Sequence, residues 1–135
     1  MMQYSWTAIV TIVALLVYIG LGLQVAKARG TSGIEAPAMT GHPVLERAVR
    51  VHINTLEWLP IFLTALWLFA LYWNEKVAAG LGVVWIAGRL LYSSGYMADP
   101  AKRSTGFLIQ ALTTLVLLLG ALGKIVYPMA TRGRI

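Results

Sequence analysis

The chain has 135 residues, of which 59% are hydrophobic and only 12% charged, with a mean hydropathy of +0.73 and a net charge of +6. A soluble domain of this length carries about twice that charged fraction, so a water-exposed globular protein is excluded. There is no cysteine, which excludes disulfides, thiolate catalysis by the protein itself and cysteine-ligated metals.

The first element is an uncharged run from Ser5 to Ala26. It approaches the roughly 20 residues that cross a bilayer, and it predicts helix 1 over about residues 4–28. It is not read as a secretory signal, although Ala26-Lys27-Ala28 resembles a cleavage site. No positive residue precedes it, and it exceeds the roughly 7–15 residues of a signal's apolar region. Arg29 to Pro43 is rich in Gly, Pro, Ser and Thr and reads as a loop. Pro43 suits the first turn of helix 2, expected over about 43–73 with a kink at Pro60. Asn74 to Lys76 is a tight polar turn, and helix 3 follows to about residue 98. Asp99 to Lys102 turns into helix 4, about 102–127, which Pro128 is expected to end. The basic tail from Thr131 to Ile135 is expected to fray.

Short loops force antiparallel neighbours. The expected fold is an all-α membrane protein, an antiparallel bundle of four transmembrane helices in one domain over 1–135. So small a bundle buries little per subunit, which favours oligomerisation in the membrane. The positive charge would suggest nucleic acid in a soluble protein. Here it sits at helix ends, where it serves topology and lipid headgroups, so membrane lipids are the expected partner and nucleic acid is not. Lys27, Arg29, Arg47, Arg50, Lys102 and Arg103 flank the first and third loops; Lys76, Lys124, Arg132 and Arg134 flank the other face. That bias puts loops one and three in the cytoplasm and both termini on the opposite side. Tyr4, Trp6, Trp67, Tyr72, Trp73 and Tyr127 read as interfacial anchors.

The polar residues of helix 2 are the main signal. At about 100° per residue, Arg47, Arg50, Asn54 and Glu57 share one stripe, with Glu46 and His52 off it. On helix 3, Arg89, Tyr92 and Tyr96 fall within about 60° of one another. Helix 4 brings Arg103, then Gln110 and Thr114. A charge inside a membrane helix costs at least about 2.5–3.5 kcal/mol, so Arg89 and Glu57 must face the bundle interior or a subunit seam. Two structural readings are open: a Glu57–Arg89 ion pair that fixes packing, and tyrosine hydroxyls satisfied across helices. Convergence of the stripes at one depth favours a ligand site. Arginines call for carboxylate or phosphate and Glu57 for an amine, so a zwitterionic peptide-like ligand fits. His42 and His52 lack metal-ligand spacing, and no metal site is expected. No Ser-His-Asp arrangement is evident.

The segment ERAVRVHINTLEWLP, followed by GRLLYSSGY and then Arg103, resembles the MAPEG family, membrane-associated proteins in eicosanoid and glutathione metabolism. It is most similar to the branch with microsomal glutathione transferases and leukotriene-C synthase. The resemblance implies a homotrimer of four-helix bundles with glutathione as co-substrate, bound between subunits near the cytoplasmic side. It implies that Arg50, Asn54, Glu57, Tyr92 and Tyr96 hold glutathione, with Arg29 in contact and His52 where a glutamine is common. Arg89 is grouped with this glutathione site. Arg103 would be the catalytic residue that stabilises the thiolate. The acceptor would be a lipophilic electrophile or a lipid hydroperoxide entering from the bilayer. The sequence departs from the family at His52, at Trp58 in place of a common tyrosine, and at Phe107 and Leu108, which offer no hydroxyl. These departures bear on the acceptor rather than on glutathione. The alternatives are a non-catalytic lipid-binding or scaffold member of the same fold, and a small ion or solute transporter.

Overall fold

The structure, a computed structural model, describes residues 3–132. Four long helices account for most of it: α1, Ser5–Ser32; α2, Pro43–Tyr72; α3, Glu75–Ala98; and α4, Ser104–Arg132, entered through a short 3-10 turn, Pro100–Arg103. All four are long and apolar enough to cross a membrane. Among the described residues there is no strand.

The helix ends follow local chemistry. Pro43 opens α2, and the His42 ring nitrogen Nδ1 accepts from the Val44 amide at 3.2 Å, so His42 is a helix cap. Asn74 caps α3, its Oδ1 accepting from the amides of Lys76 and Val77 at 2.9 and 3.1 Å. Asp99 accepts from the Ala101 amide at 3.0 Å and starts the 3-10 turn. Two expected ends are corrected. α1 does not stop near Ala28; nothing in Arg29–Ser32 breaks it, and it ends where Gly33 takes a left-handed φ of 71°. Pro128 does not end α4 but lies inside it. A proline removes only its own bond to the carbonyl four residues back. Here the following turn is supported by the Thr131 hydroxyl, which donates to the Tyr127 carbonyl at 3.1 Å. Thr131 and Arg132 of the basic tail are therefore helical, while Gly133 to Ile135, including Arg134 of the charge count, lie outside the described residues.

α2 packs on all three other helices, α1 reaches α2 and α3, and α3 and α4 are the most intimate pair. The core is built on Phe62 stacked on Trp85, ring centroids 3.9 Å apart, with Val10, Ala14, Leu66 and Leu117 around them. Trp67 is not simply an interfacial anchor: its indole N–H donates to the Thr11 hydroxyl at 3.0 Å, between α1 and α2. The polarity is inverted relative to a soluble bundle. Thr7, Thr55, Arg89, Ser93, Gln110, Thr113 and Thr114 are buried, whereas Ile12, Leu16, Ile19 and Leu23 on α1 stand exposed, Leu23 at 67%. A bundle whose outside is apolar and whose inside holds the polar groups is solvated by lipid.

Glycine sets the α3–α4 separation. A methyl at Gly106 would lie 2.6 Å from the Gly88 carbonyl oxygen and closer still to the Tyr92 amide nitrogen. Backbone cannot yield as a side chain does, so Gly106→Ala should destabilise the bundle by about 1–3 kcal/mol. At Gly123, where a methyl meets nothing within 4 Å, alanine should leave stability within about 0.5 kcal/mol or raise it slightly. Thermal unfolding of both variants in detergent checks this; equal midpoints would refute the close-approach account.

Candidate functional site

At the end of the bundle that carries the first and third loops, a cavity of about 510 Å³ opens between α2, α3 and the start of α4. It is lined by Arg50 and Asn54 from α2, Tyr92 and Tyr96 from α3, and Arg103, Ser104, Phe107 and Leu108 from the α4 entry. Arg50 and Asn54 are one helical turn apart, as are Tyr92 and Tyr96, so each helix presents two groups on one face. The close approach at Gly106 brings the α4 entry against α3. A second close contact lies beneath Arg103, where a methyl at Gly95 would sit 2.5 Å from the Lys102 carbonyl oxygen. Arg103 itself donates from Nη1 to the Pro100 carbonyl at 2.7 Å, which folds its stem over the 3-10 turn. Phe107 meets the Trp58 ring edge-on at 5.6 Å and the Tyr92 ring at 6.1 Å, closing the apolar end. No carboxylate lines the cavity, and neither tyrosine hydroxyl has a protein partner among the described residues.

Two arginines stand behind this arrangement. Arg89 has no exposed surface at all and does not line the cavity. Its Nη2 donates to Asn54 Oδ1 at 2.8 Å and its Nη1 to Thr55 Oγ1 at 3.1 Å. The Thr55 hydroxyl in turn donates to the Val51 carbonyl at 2.8 Å. The guanidinium carbon lies 4.6 Å from the Tyr92 ring centroid and 5.7 Å from that of Trp85. Of the two structural readings left open by the sequence, the Glu57–Arg89 ion pair is absent: both terminal nitrogens of Arg89 bond neutral oxygens, and the guanidinium lies near two ring faces. Arg47 does not pair with a carboxylate either. It donates to the carbonyls of Met97 and Ala98, at 3.1 and 3.4 Å, and so caps the C-terminus of α3 from the N-terminal part of α2.

Of the sequence-expected site residues, the structure brings Arg50, Asn54, Tyr92, Tyr96 and Arg103 together. It leaves three on other surfaces. Arg29 donates to the Ala38 carbonyl at 2.6 Å, across the α1–α2 loop. His52 faces α1, stacked on Tyr18 with centroids 4.5 Å apart, its ring 3.3 Å from where a methyl at Gly22 would lie. Glu57 is exposed on α2 and unpaired among the described residues.

A model of the MAPEG family matches residues 7–123, which include every residue lining the cavity. The chain belongs to the MAPEG family. It is similar to human microsomal glutathione S-transferase 2, 45% identical over 102 residues that cover 75% of this chain and 69% of the relative. It is similar to leukotriene C4 synthase of Cavia porcellus, 34% identical over 133 residues, 96% of this chain and 89% of the relative. An uncharacterized Synechocystis protein is 43% identical over 127 residues, 94% and 93% of the two chains. Membership and four spanning helices together make this MAPEG chain an integral, multi-pass membrane protein.

In this MAPEG protein the cavity offers two guanidiniums, two phenols, an amide and a hydroxyl, a set suited to an anionic ligand with several acceptors. Its volume lies within the usual range for small-molecule sites, about 300–1,000 Å³. Sequence reasoning passed over Ser104 and Thr55. Ser104 had one available signal, its place next to Arg103. Thr55 had none on the helical wheel, because it falls off the stripe and acts through its hydroxyl alone. The Arg47 cap should be measurable. Arg47→Met should lower stability by about 1 kcal/mol, with Arg47→Lys recovering part of the loss. Unfolding midpoints in detergent report it, and a midpoint unmoved by the methionine would refute the cap.

Proposed function

We propose that this MAPEG protein is a membrane-embedded glutathione transferase. Arg103 stabilises the glutathione thiolate for attack on a lipophilic electrophile or for reduction of a lipid hydroperoxide. The observation that carries this reading is the convergence of Arg50, Asn54, Tyr92, Tyr96 and Arg103 on one cavity free of acidic groups. Relatives named for glutathione transfer and leukotriene C4 synthesis support the use of glutathione.

Glutathione carries two carboxylates, two peptide groups, an amine and a thiol. Arg50 offers a planar fork for a carboxylate, and Asn54, Tyr92 and Tyr96 offer neutral hydrogen bonds. A thiol with a pKa near about 8.5 is mostly protonated at neutral pH, and the anion is the nucleophile. A guanidinium that remains charged at every physiological pH favours that anion without exchanging a proton itself. In conjugation the thiolate forms a C–S bond as the acceptor's leaving group departs or its double bond takes up the electron pair. The apolar side formed by Phe107 and Leu108 suits an acceptor arriving from lipid.

The same reading extends to a homotrimer. Arg29 and His52 lie on the α1 side of the chain, away from the cavity, and α1 carries a long exposed apolar surface. If the α1–α2 edge of a second copy covers the cavity, Arg29 and His52 of that copy reach it, and Glu57 gains a role toward the ligand's amine. The lysine and arginine bias supports a cytoplasmic position for this end, with both termini across the membrane.

Purified protein in detergent tests the proposal. Glutathione should produce ultraviolet thiolate absorbance and be conjugated to an electrophilic dinitrobenzene; absence of both sinks the reading. Arg103→Ala should lose about 100-fold or more in turnover while glutathione affinity changes by less than about threefold. Its residual rate should rise with pH up to about 8.5, because the thiol then ionises unaided. Equal losses in turnover and affinity would make Arg103 a binding residue only.

A further inference from the structure

Arg89 is the least expected group in the bundle. It is a full charge with no exposure, no carboxylate partner among the described residues, and an unpaired Nε–H. Isolated charges at membrane depth are costly, and an apolar side chain of similar length would pack there without that cost. What the charge achieves is the orientation of Asn54. A guanidinium has only donors, so the Asn54 atom 2.8 Å from Nη2 must be the amide oxygen. An asparagine without such a neighbour can present either its oxygen or its nitrogen to a ligand. With its oxygen engaged by Arg89, Asn54 has its N–H groups free for the cavity that it lines, and the oxygen's second lone pair lies beside a guanidinium that repels a ligand's ammonium. Thr55, itself bonded to the Val51 carbonyl, takes the other arm of the fork, so the guanidinium cannot rotate away.

We propose that Arg89 is a positioning residue that locks Asn54 as a donor to the cavity. Position 54 then selects an acceptor on the ligand, a carboxylate or a peptide carbonyl, and rejects an amine. The identity of that ligand rests on the glutathione reading above; the lock between Arg89 and Asn54 does not.

Asn54→Asp separates the two roles of the asparagine. Aspartate keeps an oxygen for Arg89 and supplies a counter-ion, but it turns only acceptors toward the cavity. Its unfolding midpoint in detergent should equal or exceed that of the wild type, while glutathione affinity falls by about 10- to 100-fold. A merely structural pair would move stability and affinity together. Arg89→Met should weaken glutathione binding by about tenfold alone and add nothing in an Asn54→Ala background. Wild-type affinity in Asn54→Asp, or additive losses in the double variant, would overturn the proposal. If the wild type binds no glutathione, the functional reading fails by itself. The lock is then judged by stability: Asn54→Asp must be better tolerated with Arg89 present than in the Arg89→Met background, and an effect that is the same in both backgrounds overturns it.

Discussion

The buried guanidinium of Arg89 is the interaction on which this bundle's architecture turns. It crosses from α3 to α2 at the depth of the cavity floor and bonds two successive α2 side chains, Asn54 and Thr55. In a low-dielectric interior such charge-assisted bonds are strong, and there is no water to replace them. The pairing therefore sets both the rotation and the height of α2 against α3. Arg47 repeats the tie nearer the surface by holding the last carbonyls of α3. Gly106 completes the frame by letting α4 lie against the α3 backbone. With α2, α3 and α4 registered in this way, Arg50, Tyr92, Tyr96 and Arg103 have one shared space to occupy.

The same frame explains why the site is open. Association of helices in lipid does not come from burying apolar surface, since lipid tails are as apolar as leucine. Close backbone contacts and interior hydrogen bonds have to supply it. Three threonines of the core satisfy their hydroxyls within their own helices: Thr55 donates to Val51, Thr113 to Ile109 and Thr114 to Gln110. The cavity groups do not follow that pattern. The hydroxyls of Tyr92 and Tyr96 have no hydrogen-bond partner among the described residues, and Arg50 and Arg103 are exposed there. Polar groups left unspent at membrane depth are the mark of a site rather than of packing.

Much of this was legible in the sequence, for identifiable reasons. Four apolar runs and short polar turns are enough to lay out the helices. The 3.6-residue period places Arg50 with Asn54 and Tyr92 with Tyr96 before any coordinates are known. The misreadings are equally physical. A helical wheel shows the direction of a residue but not the reach of its side chain, so a Glu57–Arg89 pair and a place in the ligand site both stay open for Arg89. The structure satisfies it with an amide, a hydroxyl and two aromatic faces. Arg47 reads as one more member of the α2 stripe because a capped carbonyl leaves no mark in a sequence. Pro128 seemed a terminator because its single missing bond is visible in sequence, whereas the neighbouring bonds that carry the helix past it are not. Arg29, His52 and Glu57 illustrate another gap. Under the proposed trimer, a site between copies would scatter its residues over different faces of one chain, and no pattern within one chain distinguishes that from residues with unrelated roles.

The proposed glutathione site, completed between copies, is open to one decisive observation, an experimental structure of the glutathione-bound protein in lipid. Glutathione is expected with its acceptors against Arg50 and Asn54 and its sulfur beside Arg103, with Arg29 and His52 arriving from a neighbouring copy. Glutathione held elsewhere, or enclosed within one chain with no second copy at the cavity, would contradict it.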